Sequence, residues 1–200
     1  MDKAKIRLSA KEMELVTNAD WILTKNTIID KTKSLFGDLQ HRLTELLQPV
    51  TTGDYKRIPP KISKGENYRG LPYLILDYPR IFEKENIFAV RTMFWWGKFF
   101  SITLHMAGSY KKNEEAKCIA AYEAFSQHNF FICINKEQWE HHFDPSNYAA
   151  VKNLSPAGWE KIITGNPFIK IANKHPLHHW DDAVNKIAID FKVLIDVVLS

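Results

Sequence analysis

Residues 87–106 read IFAVRTMFWW-GK-FFSITLHM, two runs rich in aromatic and β-branched residues on either side of Gly97-Lys98. Runs of this kind are strand formers, and a glycine dipeptide between them marks a hairpin with a two-residue turn. With Gly97 and Lys98 at the bend, Trp96 is expected opposite Phe99, Trp95 opposite Phe100, Met93 opposite Ile102 and Thr92 opposite Thr103. Side chains alternate across a strand, so this register sorts the hairpin into two faces. One holds Ala89, Arg91, Met93, Trp95, Phe100, Ile102, Leu104 and Met106, apolar but for the arginine, and is expected to floor a core. The other holds Val90, Thr92, Phe94, Trp96, Phe99, Ser101, Thr103 and His105. Polar handles set among aromatic walls are the composition of a small-molecule pocket.

Outward from the hairpin, residues 73–78 (YLILDY), 130–134 (FFICI) and 168–172 (FIKIA) read as further strands. Ser9-Ala-Lys-Glu12 is a capping box that opens a short helix to about Asn18. Asn18 or Asp20 then caps a long helix from Trp21 to about Leu47, whose apolar residues recur mostly at three- and four-residue spacing. Pro49 ends it. Residues 50–71 have no periodicity and are expected to be a loop, with Lys56, Arg57, Lys61, Lys64 and Arg69 set against Asp54 and Glu66. Helices are expected at 113–127, 155–165 and 180–198, with a helical turn at 136–143. Ser155 caps the second of these, and Pro156 takes the first helical position, where its missing N–H costs nothing. The pattern predicts an α+β fold: a mainly antiparallel sheet built on the central hairpin and packed against long N-terminal and C-terminal helices. A single domain over 1–200 is expected, with 1–48 as an N-terminal helical segment.

Two hundred residues bury roughly 70% of the surface exposed on unfolding, so neither metal nor disulfide is needed for stability. The formal charge of +4 comes from 27 basic and 23 acidic side chains spread along the chain, which argues against a nucleic-acid partner. Cys118 and Cys133 lie in apolar stretches and read as buried thiols. There is no apolar leader and no run near the ~20 residues that cross a membrane. The expectation is a cytoplasmic protein without a membrane partner.

Three functions compete on this reading. The first is binding of a small, anionic ligand on the hydroxyl- and aromatic-lined face, with Arg91, Thr92, Phe94, Trp96, Ser101, Thr103 and His105 as its contacts. Arg91 needs a partner on an apolar face, and Asp77 on the preceding strand is the candidate. The second is a histidine-dependent, metal-assisted enzyme built from His141, His142, His178, His179 and Asp181. Against it, no HExxH motif is present, and neighbouring histidines on a helix point about 100° apart. The third is an interaction module whose spare tryptophans form a homo-oligomer surface. No Walker loop and no GxSxG elbow occurs, and no motif specifies a cofactor.

Overall fold

The computed structural model describes residues 6–48 and 58–199. Within them seven strands form one sheet: β1 (Lys61–Tyr68), β2 (Leu71–Phe82), β3 (Ile87–Trp95), β4 (Phe99–Ala107), β5 (Phe131–Cys133), β6 (Tyr148–Ala150) and β7 (Phe168–Pro176). Their order is β1-β2-β3-β4-β7-β5-β6, and every neighbouring pair is antiparallel. Six α-helices accompany it: α1 (Ala10–Thr17), α2 (Ala19–Leu47), α3 (Ser109–Ala120), α4 (Tyr122–Gln127), α5 (Pro156–Gly165) and α6 (Ala183–Leu199). The fold is α+β, with the antiparallel sheet centred on the β3–β4 hairpin and the long helices near the two ends.

The hairpin register differs from the expected one by a residue. Trp95 pairs with Phe99, Phe94 with Phe100, Met93 with Ser101, Thr92 with Ile102 and Arg91 with Thr103. Gly97 takes the third position of the turn at φ +67°, and Lys98 N–H closes it onto Trp95 C=O at 3.0 Å. A glycine in that position supplies the positive φ that a type II turn requires. Trp96 leaves the ladder, because its N–H donates to Pro72 C=O at 3.0 Å, on the neighbouring strand.

The corrected register separates the two faces more cleanly. Phe88, Val90, Phe94, Phe100, Ile102, Leu104 and Met106 share one face and belong to the main core. Against it α2 lays Ile29, Phe36, Leu39, Leu43 and Leu47, beside Phe191, Leu194 and Val198 of α6. Full burial of each such side chain is worth about 1.5–3 kcal/mol. The opposite face carries Arg91, Met93, Trp95, Ser101, Thr103 and His105. The irregular segment 134–147 crosses it, and β5 and β6 extend the sheet beside it.

Other expectations are corrected as well. Residues 61–68, expected within a loop, form β1, and its pairing with β2 supplies the order that the residues' own pattern lacks. Lys56 and Arg57 lie outside the described residues. The turn expected at 136–143 is not helical; its backbone is held by side chains instead. The helix expected at 113–127 starts at Ser109 and divides at Ala121. The last helix is preceded by a separate 3-10 turn, Leu177–Asp182. The capping box of α1 and the Asn18 cap of α2 are present. Both cysteines are buried free thiols, and burial pushes Cys118 up to about 12. Among the described residues no helix is long and apolar enough to cross a membrane.

Candidate functional site

Strand alternation puts Asp77, Arg91, Thr103, His105 and Lys170 on the face opposite the main core, each inside its strand and away from the strand ends. Charged groups at such positions must find partners when they are covered. Arg91 does so as a fork: Nε donates to Asp77 Oδ1 at 2.7 Å and Nη2 to Oδ2 at 2.9 Å. Its Nη1 lies 3.3 Å from His141 Nε2. A guanidinium only donates, so His141 Nε2 accepts and the ring is neutral. Lys170, 1% exposed, donates to the carbonyls of Gln138 (2.9 Å) and Glu140 (2.6 Å) and sits 5.5 Å from the centre of the Tyr148 ring.

Tyr68, at the end of β1, ties the cover from the other side. Its hydroxyl donates to Glu140 Oε2 (2.8 Å) and accepts the N–H groups of His141 (2.7 Å) and His142 (3.1 Å). His105 Nε2 donates to Gln138 Oε1 at 3.0 Å. Segment 134–147 therefore owes its shape to side chains reaching up from the sheet rather than to its own backbone ladder. Replacing Lys170 with methionine removes two of these ties. Trypsin cleavage after the exposed Lys136 is then expected to accelerate at least about tenfold, by local opening, and an unchanged rate on gels would refute the bracing role.

Covering this face shifts its ionisations in a consistent direction. Burial pulls His105 down to about 3, with Lys170 adding to the effect. Burial, then the positive charges of Lys170 and Arg91, hold His141 well below the usual imidazole range. Burial lowers Lys170 to about 8 and raises Tyr68 to about 12. The cluster is a charged brace beside neutral imidazoles, largely covered by segment 134–147.

At the hairpin-turn end of the same face lies an open cleft of about 300 Å³. Three cations line it, Arg69, Lys98 and Lys174, between the rings of Trp95, Phe99 and Phe143. Asp144 and His142 complete the wall, and Asp144 is engaged by Arg69 at 2.8 Å and lies 3.0 Å from His142 Nδ1. Neither Lys98 nor Lys174 has a carboxylate within ion-pair distance among the described residues. Lys174 Nζ instead stands over three rings, 5.1 Å from Phe143, 5.5 Å from Phe131 and 5.8 Å from Phe99. Lys98 Nζ stands 5.7 Å from Trp95, whose buried indole N–H has no partner among the described residues.

The expected contact set divides between the two faces. Arg91, Ser101, Thr103 and His105 lie on the covered face, whereas Thr92 and Phe94 point into the main core and Trp96 packs edge-on against Phe94 at the turn. None of the seven lines the cleft. The two histidine pairs are also kept apart. His141 meets Arg91 on the covered face, while the turn bearing His178 and His179 continues into Trp180, which packs on Phe94 and Phe100 of the core face. No three His, Cys, Asp or Glu side chains are grouped as metal ligands among the described residues.

Lys170, Lys174, Tyr68, Glu140 and Gln138 went unread in the sequence. The signal for the first two was present. In the run FIKIANK, alternation sets Lys170 and Lys174 with Phe168 and Ala172, opposite Ile169 and Ile171, and a lysine in mid-strand there needs acceptors. For the other three no local signal exists, since each meets its partner across more than 30 residues. No protein family, no curated protein and no solved structure matches the chain.

Proposed function

We propose that the protein binds a small anion with a flat, apolar body in the cleft at the turn of the β3–β4 hairpin. Lys98 and Lys174 hold the anionic group, Arg69 borders it, and the rings of Trp95, Phe99 and Phe143 take the body. The observation that carries this reading is a pair of lysines facing one aromatic-walled cleft with no carboxylate within ion-pair distance among the described residues, Asp144 of the same wall being held by Arg69. Two cations that line one cleft repel each other, and an anion between them relieves that repulsion while gaining charge-assisted hydrogen bonds. The ring faces fix Lys174 Nζ by cation–π attraction and leave its N–H donors free for the ligand. Being open to water, the site is expected to weaken with added salt.

The test is titration calorimetry with adenosine monophosphate, benzoate and inorganic phosphate as probes, on the wild type and on Lys98→Ser/Lys174→Gln. Both lysines are exposed, so the variant is expected to fold. The aromatic anions are expected to bind more tightly than phosphate, with affinity falling at least about tenfold in the double variant. Equal affinity in the two proteins, or no binding of any probe at millimolar concentration, rules the reading out.

A further inference from the structure

Next to the cleft, across Leu71, which lines both, the first helices carry an apolar surface that the rest of the chain leaves open. Thirteen large hydrophobic side chains are exposed among the described residues, and eight of them fall between Ile6 and Leu23. Full burial in the core-facing stripe of α2 begins at Ile29, with Ile28 partly buried against the core, so its first nine residues, ~14 Å of helix, run on beyond the buried portion. Ile22 continues that stripe, seven residues ahead of Ile29, with no core beneath it. An ion pair ties it to the sheet, Lys25 Nζ to Glu66 at 2.7 Å. Helix α1 has eight residues and buries none of them. A helix that short is marginal in water by itself, whatever its capping box contributes. Between α1, the start of α2 and the Leu71-Pro72 and Trp96 turns lies an apolar groove of about 680 Å³.

We infer that this arm is a homodimer interface, in which α1 and the first turns of α2 pack against the same segment of a second copy. Two observations select that occupant. The first is area. Eight side chains exposing 40–98% of their surface, at ~150–200 Å² for a large side chain, present on the order of 800 Å² over the arm as a whole; Leu15, Val16, Trp21 and Ile22 line the groove and carry about half of it, so a second copy reaches the per-partner area of a standard stable interface by covering more than one face of the arm. The second is charge. Among the described residues the segment carries Arg7, Lys11 and Lys25 against Glu12, Glu14 and Asp20, three of each sign, with Lys25 already paired to Glu66. That set offers no field for a nucleic acid or an anionic membrane, whereas a two-fold axis sets a patch of both signs against itself with opposite charges facing. Burying the arm also supplies the packing that α1 lacks within its own chain.

Sedimentation equilibrium of the full chain, from low to high micromolar, is the test. The wild type is expected at twice the 23.3 kDa of one chain. Val16→Asp and Trp21→Ser are both solvent-exposed changes outside the core, at side chains 68% and 63% exposed. Either is expected to raise the dimer dissociation constant at least about 30-fold, Trp21 as an anchor residue. Circular dichroism and the anion titration follow folding and the cleft independently, so failure here leaves the cleft reading untouched. A monomeric wild type, a dimer that both variants leave intact, or an arm that binds vesicles or another protein in place of its copy overturns the proposal.

Discussion

Replacing Asp77 with alanine is expected to destabilise the protein by about 3–5 kcal/mol, among the largest effects of any single substitution outside the main core. The carboxylate supplies both oxygens of the Arg91 fork, and the two side chains are only 9% and 19% exposed. Without it the guanidinium stays under segment 134–147 with His141 as its remaining side-chain hydrogen-bond partner, and a neutral imidazole does not offset a cation. The cost is chiefly the uncompensated charge, not the intrinsic worth of the pair. Hence Asp77→Leu combined with Arg91→Met is expected to be less damaging than Asp77→Ala alone. Urea unfolding of the three proteins decides it; a loss below about 1 kcal/mol in Asp77→Ala would show that water already reaches the pair. In a chain of this length the expected loss lowers Tm by about 10 °C.

The second large effect concerns pH. Folding holds His105 at about 3, so between the ordinary imidazole value of 6.5 and about 3 the unfolded chain takes up a proton that the folded one refuses. Stability from this group is complete above pH 6.5 and is lost as the pH falls toward 3, reaching on the order of 4 kcal/mol. His141 acts in the same sense, because its Nε2 is committed as an acceptor beneath Arg91. On the alkaline side Lys170 works oppositely to a salt-bridged lysine. Its folded value of about 8 lies below the ordinary 10.5, so the unfolded chain keeps its proton longer and stability rises across that window. Tyr68, raised to about 12, reverses the trend above pH 10. Stability is therefore expected to climb steeply from pH 4 to 7, to rise again from 8 and to peak near 10. His105→Gln, which keeps a neutral donor for Gln138, is expected to flatten the acid limb by about half. An acid limb equally steep in the variant would mean that His105 is not what fails in acid.

These two effects arise from one arrangement. A sheet with an apolar face under α2 and α6 puts its main core there, and its second face mixes two smaller apolar clusters with charges and hydroxyls that require a cover. The cover is a segment with little regular structure, so its position depends on Lys170, Tyr68 and His105 reaching its carbonyls, N–H groups and side chains. The cleft sits where that cover meets the hairpin turn, and its cations come from the β1–β2 turn, the β3–β4 turn and the end of β7.

Local chemistry was enough for the central strands and the main helices, though not for β1, β6 or the irregular segment 136–143. The β-branched and aromatic runs marked the hairpin and its neighbours, Ser9, Asn18 and Ser155 marked helix starts, and the alternation of 87–106 already required two unlike faces. The partnership of Arg91 with Asp77 was also within reach, since an arginine in mid-strand must be matched on the strand beside it. Register was another matter. Whether the bend holds two residues or three depends on where Trp96 N–H finds an acceptor, and that acceptor is Pro72 C=O, on a different strand. One residue of slip exchanges the faces of one strand relative to the other, so Thr92 and Phe94 went to the core while Thr103 and His105 stayed opposite. The cleft was hidden for the same reason: Arg69, Lys98 and Lys174 are 29 and 76 residues apart along the chain, and only strand pairing sets them around one space.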